Sequence, residues 1–412
     1  MRKVAHGAET KIEALNGVAD VLRTISEILY RDCLCQYVSP YYPDTTSRSD
    51  VWTLPSVPID WIPKWIAETD EGYRIAVPYA TPWWGNKISL DLQQKLATLE
   101  ELIGIHVHGT HQVAEYLAHA ATALGRGYGV TFHTHDWMYL DLRVKNKSMR
   151  ERAKEAHTFR TIRIAKNARW RTVPSLWFGS QLHEATGFGG ELILLKNLVL
   201  KPELMTPTDA IGYETMFRNN ELPSHLRSRS LIGCLGRVSP EKNLEFLVQY
   251  LYELKQVFQD KRTPDFPLLV ICGPGPEKYR TELRRKFDEL GLQDDVVILD
   301  GKQHDEMIRL MQIIPVLVFP SETESYGIMM QEGEHCGAVP LVMRHSAHDE
   351  NMPIEELALV KQPICWAKIS HDLLTNEKRR RDYTAELQNY ARSENNPQAY
   401  RARLLDLYRE LG

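Results

Sequence analysis

No apolar run in this 412-residue chain approaches the roughly 20 residues that a bilayer-spanning helix requires. The opening MRKVAHGAETKIEALNG lacks the apolar core of a secretory leader, so a cytoplasmic location is expected. Excess charge of one sign is also missing. The formal net charge is -4, which gives no global attraction to nucleic acid. Cysteine is sparse: Cys33, Cys35, Cys234, Cys272, Cys336 and Cys365 are spread without the spacing of a zinc site or a disulfide framework. Cys234 and Cys272 fall in predicted core strands, and the set is expected to be reduced and structural. What is present is 43% hydrophobic content, enough for two globular domains with substantial cores. Strand-like and helical stretches alternate along most of the chain, which predicts an α/β architecture.

The chain is organised around residues 316–342, VLVFPSETESYGIMMQEGEHCGAVPLV. Val316–Phe319 is a short apolar run ending at Pro320, the pattern of a buried parallel strand that opens into a loop. The polar loop SETESYG closes on Gly327, a helical pattern follows over Ile328–His335, and Gly337 ends it. Ala338–Met343 reads as the next strand. In a doubly wound sheet, ligands bind beside the carboxyl ends of strands, and a helix amino terminus there attracts phosphate. Glu324 sits in the loop and Glu332 about two helical turns further along. Taken alone, two glutamates at this spacing also suit a solvated acidic loop between core elements.

With Pro320-Ser321, Gly327 and GAVPLV all in place, the stretch closely resembles the signature of retaining glycosyltransferases of family four and their relatives. The resemblance implies the GT-B fold: two facing Rossmann-like α/β domains with an interdomain cleft. It implies that Glu324 lies by the donor sugar and that Glu332 binds the nucleotide ribose. The segment Ser325, Tyr326, Gly327 and Ile328 would bring its backbone amides to sugar and phosphate. A second element, SLIGCLGRVSPEKN, resembles the family's GRxxxEKG, with Gly236 at the turn. Its Arg237 and Lys242 would grip the donor diphosphate, since glycosyl transfer expels a nucleoside diphosphate whose charge fixed cations stabilise. PLLVICGPGP and VVILDGKQHDEMIRLMQ resemble further family elements, the latter near the base. MRHSAHDENMP departs from the usual GGxxE, so the lid near the nucleotide is expected to be rebuilt.

The first half matches more thinly. NGVADVLRTISEIL resembles the opening of glycogen and starch synthases, where Gly17 would let the backbone approach the donor. Asn16 and Ala14 stand where those synthases carry glycine and lysine, which puts glycogen synthase activity in doubt. EELIGIHVHGT and YGVTFHTHDW resemble the family's DxxHxHG and VVTFHT elements. By that resemblance His133 reaches the reacting centre, offering a hydrogen bond to a sugar hydroxyl or phosphate oxygen. His106, His108, His111 and His135 suggest metal ligands, and strand alternation puts His106 and His108 on one face. The resemblance accounts for them without metal. No Asp-x-Asp motif occurs, and neither metal nor other cofactor is expected beyond the sugar nucleotide itself.

Residues 44–90, with Trp52, Trp61, Trp65, Trp83 and Trp84, read as loops and hairpins in which packing competes with sugar stacking at an acceptor site. Residues 143–171 carry eleven Lys or Arg against Glu151 and Glu155. A solvated helix face explains them; attraction to an anionic membrane surface or a phosphorylated acceptor is the functional alternative. Polar residues 214–229 suit a linker. The expected domains are 1–220 for the acceptor, 228–382 for the nucleotide sugar, and terminal helices over 383–412 crossing back to the first. The resulting expectation is a metal-independent, retaining hexosyltransferase acting on a hydroxyl acceptor in a sugar, glycolipid or phosphorylated small molecule. A phosphorylase, a DNA-base glucosyltransferase and a catalytically silent sugar-nucleotide sensor are the rivals.

Overall fold

The computed structural model describes residues 2–8, 17–40, 50–54, 82–134, 137, 140–141, 144, 146–199 and 210–411. Asn16, Ala14, Trp61, Trp65, His135, Arg143 and Lys145 lie outside them. The chain forms two compact units, one of residues 1–198 with 396–412 and the other of residues 199–395.

In the first unit, β1 (Arg2–Ala8), α1 (Gly17–Leu29), β2 (Cys33–Pro40), β3 (Val51–Leu54), α2 (Pro82–Ala97) and β4 (Leu102–His108) come first. They are followed by α3 (Gln112–Ala123), β5 (Tyr128–Thr131), α4 (Lys147–Asn167), β6 (Arg171–Val173), α5 (Leu176–Thr186) and β7 (Ile193–Leu194). Region 44–90, read as loops and hairpins, contributes β3 with Trp52, and α2 opens on Trp83 and Trp84. The strands make one parallel sheet in the order β3-β2-β1-β4-β5-β6-β7. Strand order reverses between β1 and β4, the place where doubly wound sheets open a crevice.

The second unit runs α6 (Ala210–Glu221), β8 (Leu231–Leu235), α7 (Phe246–Asp260), β9 (Leu268–Cys272), α8 (Glu277–Glu289), β10 (Val296–Leu299) and α9 (His304–Ile313). It continues with β11 (Val316–Phe319), α10 (Ile328–Cys336), β12 (Val339–Met343), α11 (Ala347–Glu350), β13 (Ala358–Leu359), α12 (Pro363–Thr375) and α13 (Glu377–Glu394). Its parallel sheet has the order β10-β9-β8-β11-β12-β13, reversing between β8 and β11. A parallel sheet covered on both faces needs apolar residues on both, which explains the unbroken runs VLVF and LLVIC, buried throughout. Cys234 and Cys272 are buried in β8 and β9, as expected of structural thiols.

Two boundaries differ from the sequence reading. Residues 214–229 are no linker: α6 belongs to the second unit, with Tyr213 and Phe217, four residues apart, buried in its core. That apolar pair was concealed among polar neighbours. The terminal helices also part company, since α13 stays with the second unit while α14 (Pro397–Arg409) belongs to the first. Leu404, Leu407 and Tyr408 of α14 are buried there, and the Leu407 carbonyl accepts a 2.8 Å hydrogen bond from the Trp170 indole.

Trp170 fills the space that a side chain on Gly129 would need: an added Cβ would lie 2.1 Å from its ring. Gly129→Ala is therefore expected to lower the stability of the first unit by about 1–3 kcal/mol in denaturant unfolding. An unchanged midpoint would show that Trp170 can withdraw without loss.

Candidate functional site

The sequence-predicted residues of the second unit converge on the carboxyl ends of β8 and β11, the two strands between which strand order reverses. Three loops meet there with almost no space between their backbones. Gly236 has φ +131°, and its carbonyl passes so close to Gly273 that an added Cβ would lie 1.7 Å from it. The Gly275 position is filled likewise by the Val238 carbonyl, 2.1 Å from a would-be Cβ. Thus the glycines of the GPGP loop are required by close backbone approach. Hydrogen bonds from Gly236 N to Cys272 O (3.0 Å) and Val238 N to Pro274 O (2.8 Å) fix the contact.

The loop after β11 is stitched to the loop after β8. Ser321 Oγ and Thr323 Oγ1 both donate to the Glu241 carbonyl, each at 3.1 Å. Asn243, in the left-handed region at φ 53°, donates to Pro320 O and Glu322 Oε1 at 3.1 Å each. Above this scaffold Lys242 Nζ donates to Glu324 Oε1. Burial acts to raise the Glu324 pKa, but Lys242, His348 and Arg237 outweigh it and hold the carboxyl down to about 2. Arg237 is partly exposed and paired at 3.2 Å with the buried Glu241 carboxylate.

The turn of Ser325, Tyr326 and Gly327 leads into α10, where the Met330 and Gln331 amides meet the Gly327 carbonyl at 3.1 and 3.3 Å; a helix amino terminus in such a place favours anions. Tyr326 is buried. Its hydroxyl accepts from Gln331 Nε2 at 2.9 Å and its carbonyl from Asn351 Nδ2 at 3.1 Å, so its side chain holds the turn from inside. Gly327 has φ +94°, and an added Cβ would lie 2.2 Å from the His348 ring. On α10, Glu332 is buried and accepts a 2.7 Å hydrogen bond from His304 Nε2.

His304 and His348 also pack against this candidate site, and the sequence analysis does not single them out. The signal for His304 was its position opening the helix after β10; for His348 it was the departure from GGxxE. That replacement segment supplies both the ring under Gly327 and the amide on Tyr326. Burial pushes the His348 pKa down to about 4, with Lys242 adding to the effect and Glu324 opposing it.

In the first unit, Gly17 is the first residue of α1. His133 follows β5 and is buried, with Nε2 2.9 Å from His108 Nδ1. Of the four histidines that suggested a metal, His106 and His108 do come together, joined by His6 of β1, with ligand atoms within 4.8 Å of one another. The His106 nitrogens already meet Tyr408 OH at 3.0 Å and Thr131 Oγ1 at 2.7 Å. His111 is not in the group; its ring lies 6.2 Å from that of His157. Much of the positive charge on α4 is locally paired: Arg160 and Arg163 bind Glu115, and Lys154 binds Asp141.

A surface depression of about 470 Å³ in the second unit is lined by Arg229, Lys255 and Phe258. It sits among residues that precede β8, β9 and β10, away from the carboxyl ends, and Arg229 and Lys255 both bind Asp295. Arg229 and Lys255 are thus engaged, and the strand-end loops remain the better ligand site.

Residues 219–391 match the family described as glycosyl transferases group 1. A D-inositol 3-phosphate glycosyltransferase of Corynebacterium glutamicum is 24% identical over 184 residues, 43% of this chain and 42% of that protein. A GDP-mannose-dependent alpha-(1-6)-phosphatidylinositol monomannoside mannosyltransferase of Mycolicibacterium smegmatis is 31% identical over 128 residues, 29% of this chain and 31% of the relative. The matches thus span less than half the length of these curated relatives. Among solved structures, Anabaena HepE in complex with UDP and glucose superposes with TM-score 0.70 at 14% identity, covering 98% of this chain and 99% of HepE. Sucrose-phosphate synthase of Thermosynechococcus elongatus gives 0.73 at 17% identity, covering 100% and 99%. These likenesses establish the GT-B fold.

The Glu324 carboxyl has its folded pKa depressed, so its contribution to stability is complete above 4.5 and is lost as pH falls toward about 2. Lys242→Met leaves that half-buried carboxylate without its cation. The variant is expected to melt well below wild type at pH 7, with the gap closing as pH falls through that window. A gap independent of pH in calorimetric melts would show that the pair contributes little.

Proposed function

We propose, for a chain whose residues 219–391 match the glycosyl transferases group 1 family, that the protein moves a hexosyl unit from a nucleoside-diphosphate sugar to a hydroxyl acceptor with retention of configuration. The observation that carries this is the Lys242–Glu324 pair, set at the reversal of strand order and beside the α10 amino terminus. Such a place offers fixed cations and a helix amino terminus to a diphosphate, and a carboxylate to sugar hydroxyls.

Each residue then has a role. Lys242 exchanges Glu324 for a phosphate oxygen, and Arg237 turns to the diphosphate from Glu241. Glu324, released, orients the sugar, while the amides of Gly327 and Ile328 approach sugar and phosphate. Glu332, positioned by His304, accepts from the ribose hydroxyls. Gly17 and His133 are assigned to donor and reacting centre on the family resemblance. The bond from the anomeric carbon to the phosphate oxygen breaks with its electron pair leaving on the diphosphate. The acceptor oxygen attacks from the same face and yields its proton to the departing phosphate. In this reading the cations and amides meet the developing negative charge, and no metal is required. The exposed cations of 143–171 are the candidate surface for a phosphorylated or lipid-borne acceptor, at a peripheral membrane location. No helix among the described residues is long and apolar enough to cross a membrane.

Purified protein screened against UDP-, ADP-, GDP- and TDP-sugars is expected to release diphosphate from one preferred donor. Glu324→Ala should lower that turnover by about a hundredfold or more, and Arg237→Ala should chiefly weaken donor binding. Equal turnover by Glu324→Ala, or no selectivity among donors, would count against the reading.

A further inference from the structure

His348 stands on α11, just after β12, in the segment that replaces the family's GGxxE. Its imidazole is buried between two parts of the candidate site. The ring of Phe319, the last residue of β11, is 5.5 Å away, and Gly327 opens α10 over the other side. The segment is anchored in this position. Asn351 Nδ2 donates to Tyr326 O at 3.1 Å and to Ala347 O at 2.9 Å, and the Asn351 amide donates to His348 O at 3.1 Å.

The two edges of the ring differ. A Cβ added to Gly327 would lie 2.2 Å from Cδ2 and 2.7 Å from Nε2, so the edge carrying these atoms is turned to the α10 amino terminus. Nδ1 lies on the opposite edge, buried and without a hydrogen-bond partner. A proton on Nδ1 would be an orphan donor in the interior, whereas a bare lone pair is the less costly orphan. An imidazolium carries protons on both nitrogens and meets the same penalty. Burial and the Lys242 charge oppose that form as well, against the attraction of Glu324. The ring is therefore neutral, with its proton on Nε2 beside Gly327.

We propose that His348 is a donor-binding residue whose Nε2–H gives a neutral hydrogen bond to a phosphate oxygen of the nucleoside diphosphate at the α10 amino terminus. The inference rests on the function proposed above. Lys242 and Arg237 come to the diphosphate from carboxylates, those of Glu324 and Glu241. His348 Nε2 makes no hydrogen bond within the protein, so this contact breaks none. It also differs in kind, since it fixes one oxygen by direction without adding charge. An anionic oxygen is favoured at that place by the helix amino terminus, while a sugar hydroxyl is better met by the Glu324 carboxylate.

Calorimetric titration of UDP, ADP, GDP and TDP into the full-length protein tests the contact. His348→Phe, which keeps a ring on Phe319, should weaken binding of the preferred nucleotide about tenfold. His348→Gln, whose amide can donate from the Nε2 position, should stay within about threefold of wild type. His348→Asn, which donates from the Nδ1 position, should bind like His348→Phe. Thermal melts without ligand separate loss of the contact from loss of the fold. Nitrogen-15 NMR of histidine-labelled wild type, with His348 identified by the signals lost in His348→Gln, should show protonated Nε2 at pH 7 and a shift on adding the nucleotide. That spectrum decides the matter even where a variant fails to fold. Protonated Nδ1, equal affinity in wild type and His348→Phe, rescue by Asn as good as by Gln, or a loss confined to the intact sugar nucleotide would overturn this proposal and leave the proposed function standing. Failure of wild type to bind any nucleoside diphosphate would overturn both.

Discussion

The ion pair between Lys242 and Glu324 is the interaction around which the second unit is arranged. Neither charge would be stable so close to the loop junction alone, and removing one partner of a largely buried pair is costlier than never having had it. The pair joins the loop after β8 to the loop after β11. Everything beneath it serves to hold those loops in register: two hydroxyls on one carbonyl, a left-handed Asn243, and glycines where backbones touch. A pair of this kind is also exchangeable. In the proposed function a diphosphate takes the lysine while sugar hydroxyls take the carboxylate, so both charges stay satisfied with and without ligand.

The first unit applies the same topology to a different end. Its strand order reverses between β1 and β4, and there the side chains are imidazoles instead of an ion pair. Helix α14 closes over this place, with Tyr408 on His106 and the Leu407 carbonyl on Trp170. The terminal helix is therefore part of what keeps water from the histidines.

Much of this was legible in the chain. Strands β8, β9, β11 and β12 announce themselves as unbroken apolar runs, because a doubly covered parallel sheet has no polar face. Arg237, Lys242, Glu324 and Glu332 could be read because their spacing survives within short local motifs. The residues that were missed act through distant partners. His304 matters through Glu332 and His348 through Gly327, each contact joining segments 21 or 28 residues apart. His6 gains its meaning only when β1 lies beside β4, and α6 was concealed by polar residues around Tyr213 and Phe217. Tyr326 was expected to matter through its backbone, and the structure adds that its side chain faces inward.

In the proposed exchange Lys242 trades Glu324 for a diphosphate. Calorimetric titration of nucleoside diphosphates into wild type, Lys242→Met and Glu324→Gln tests it most directly. Lys242→Met should weaken binding at least tenfold, about the value of one charge-assisted contact. Glu324→Gln should bind as tightly as wild type or more so, because the competing carboxylate is gone. Equal affinity in wild type and Lys242→Met, or weakened binding in Glu324→Gln alone, would contradict it.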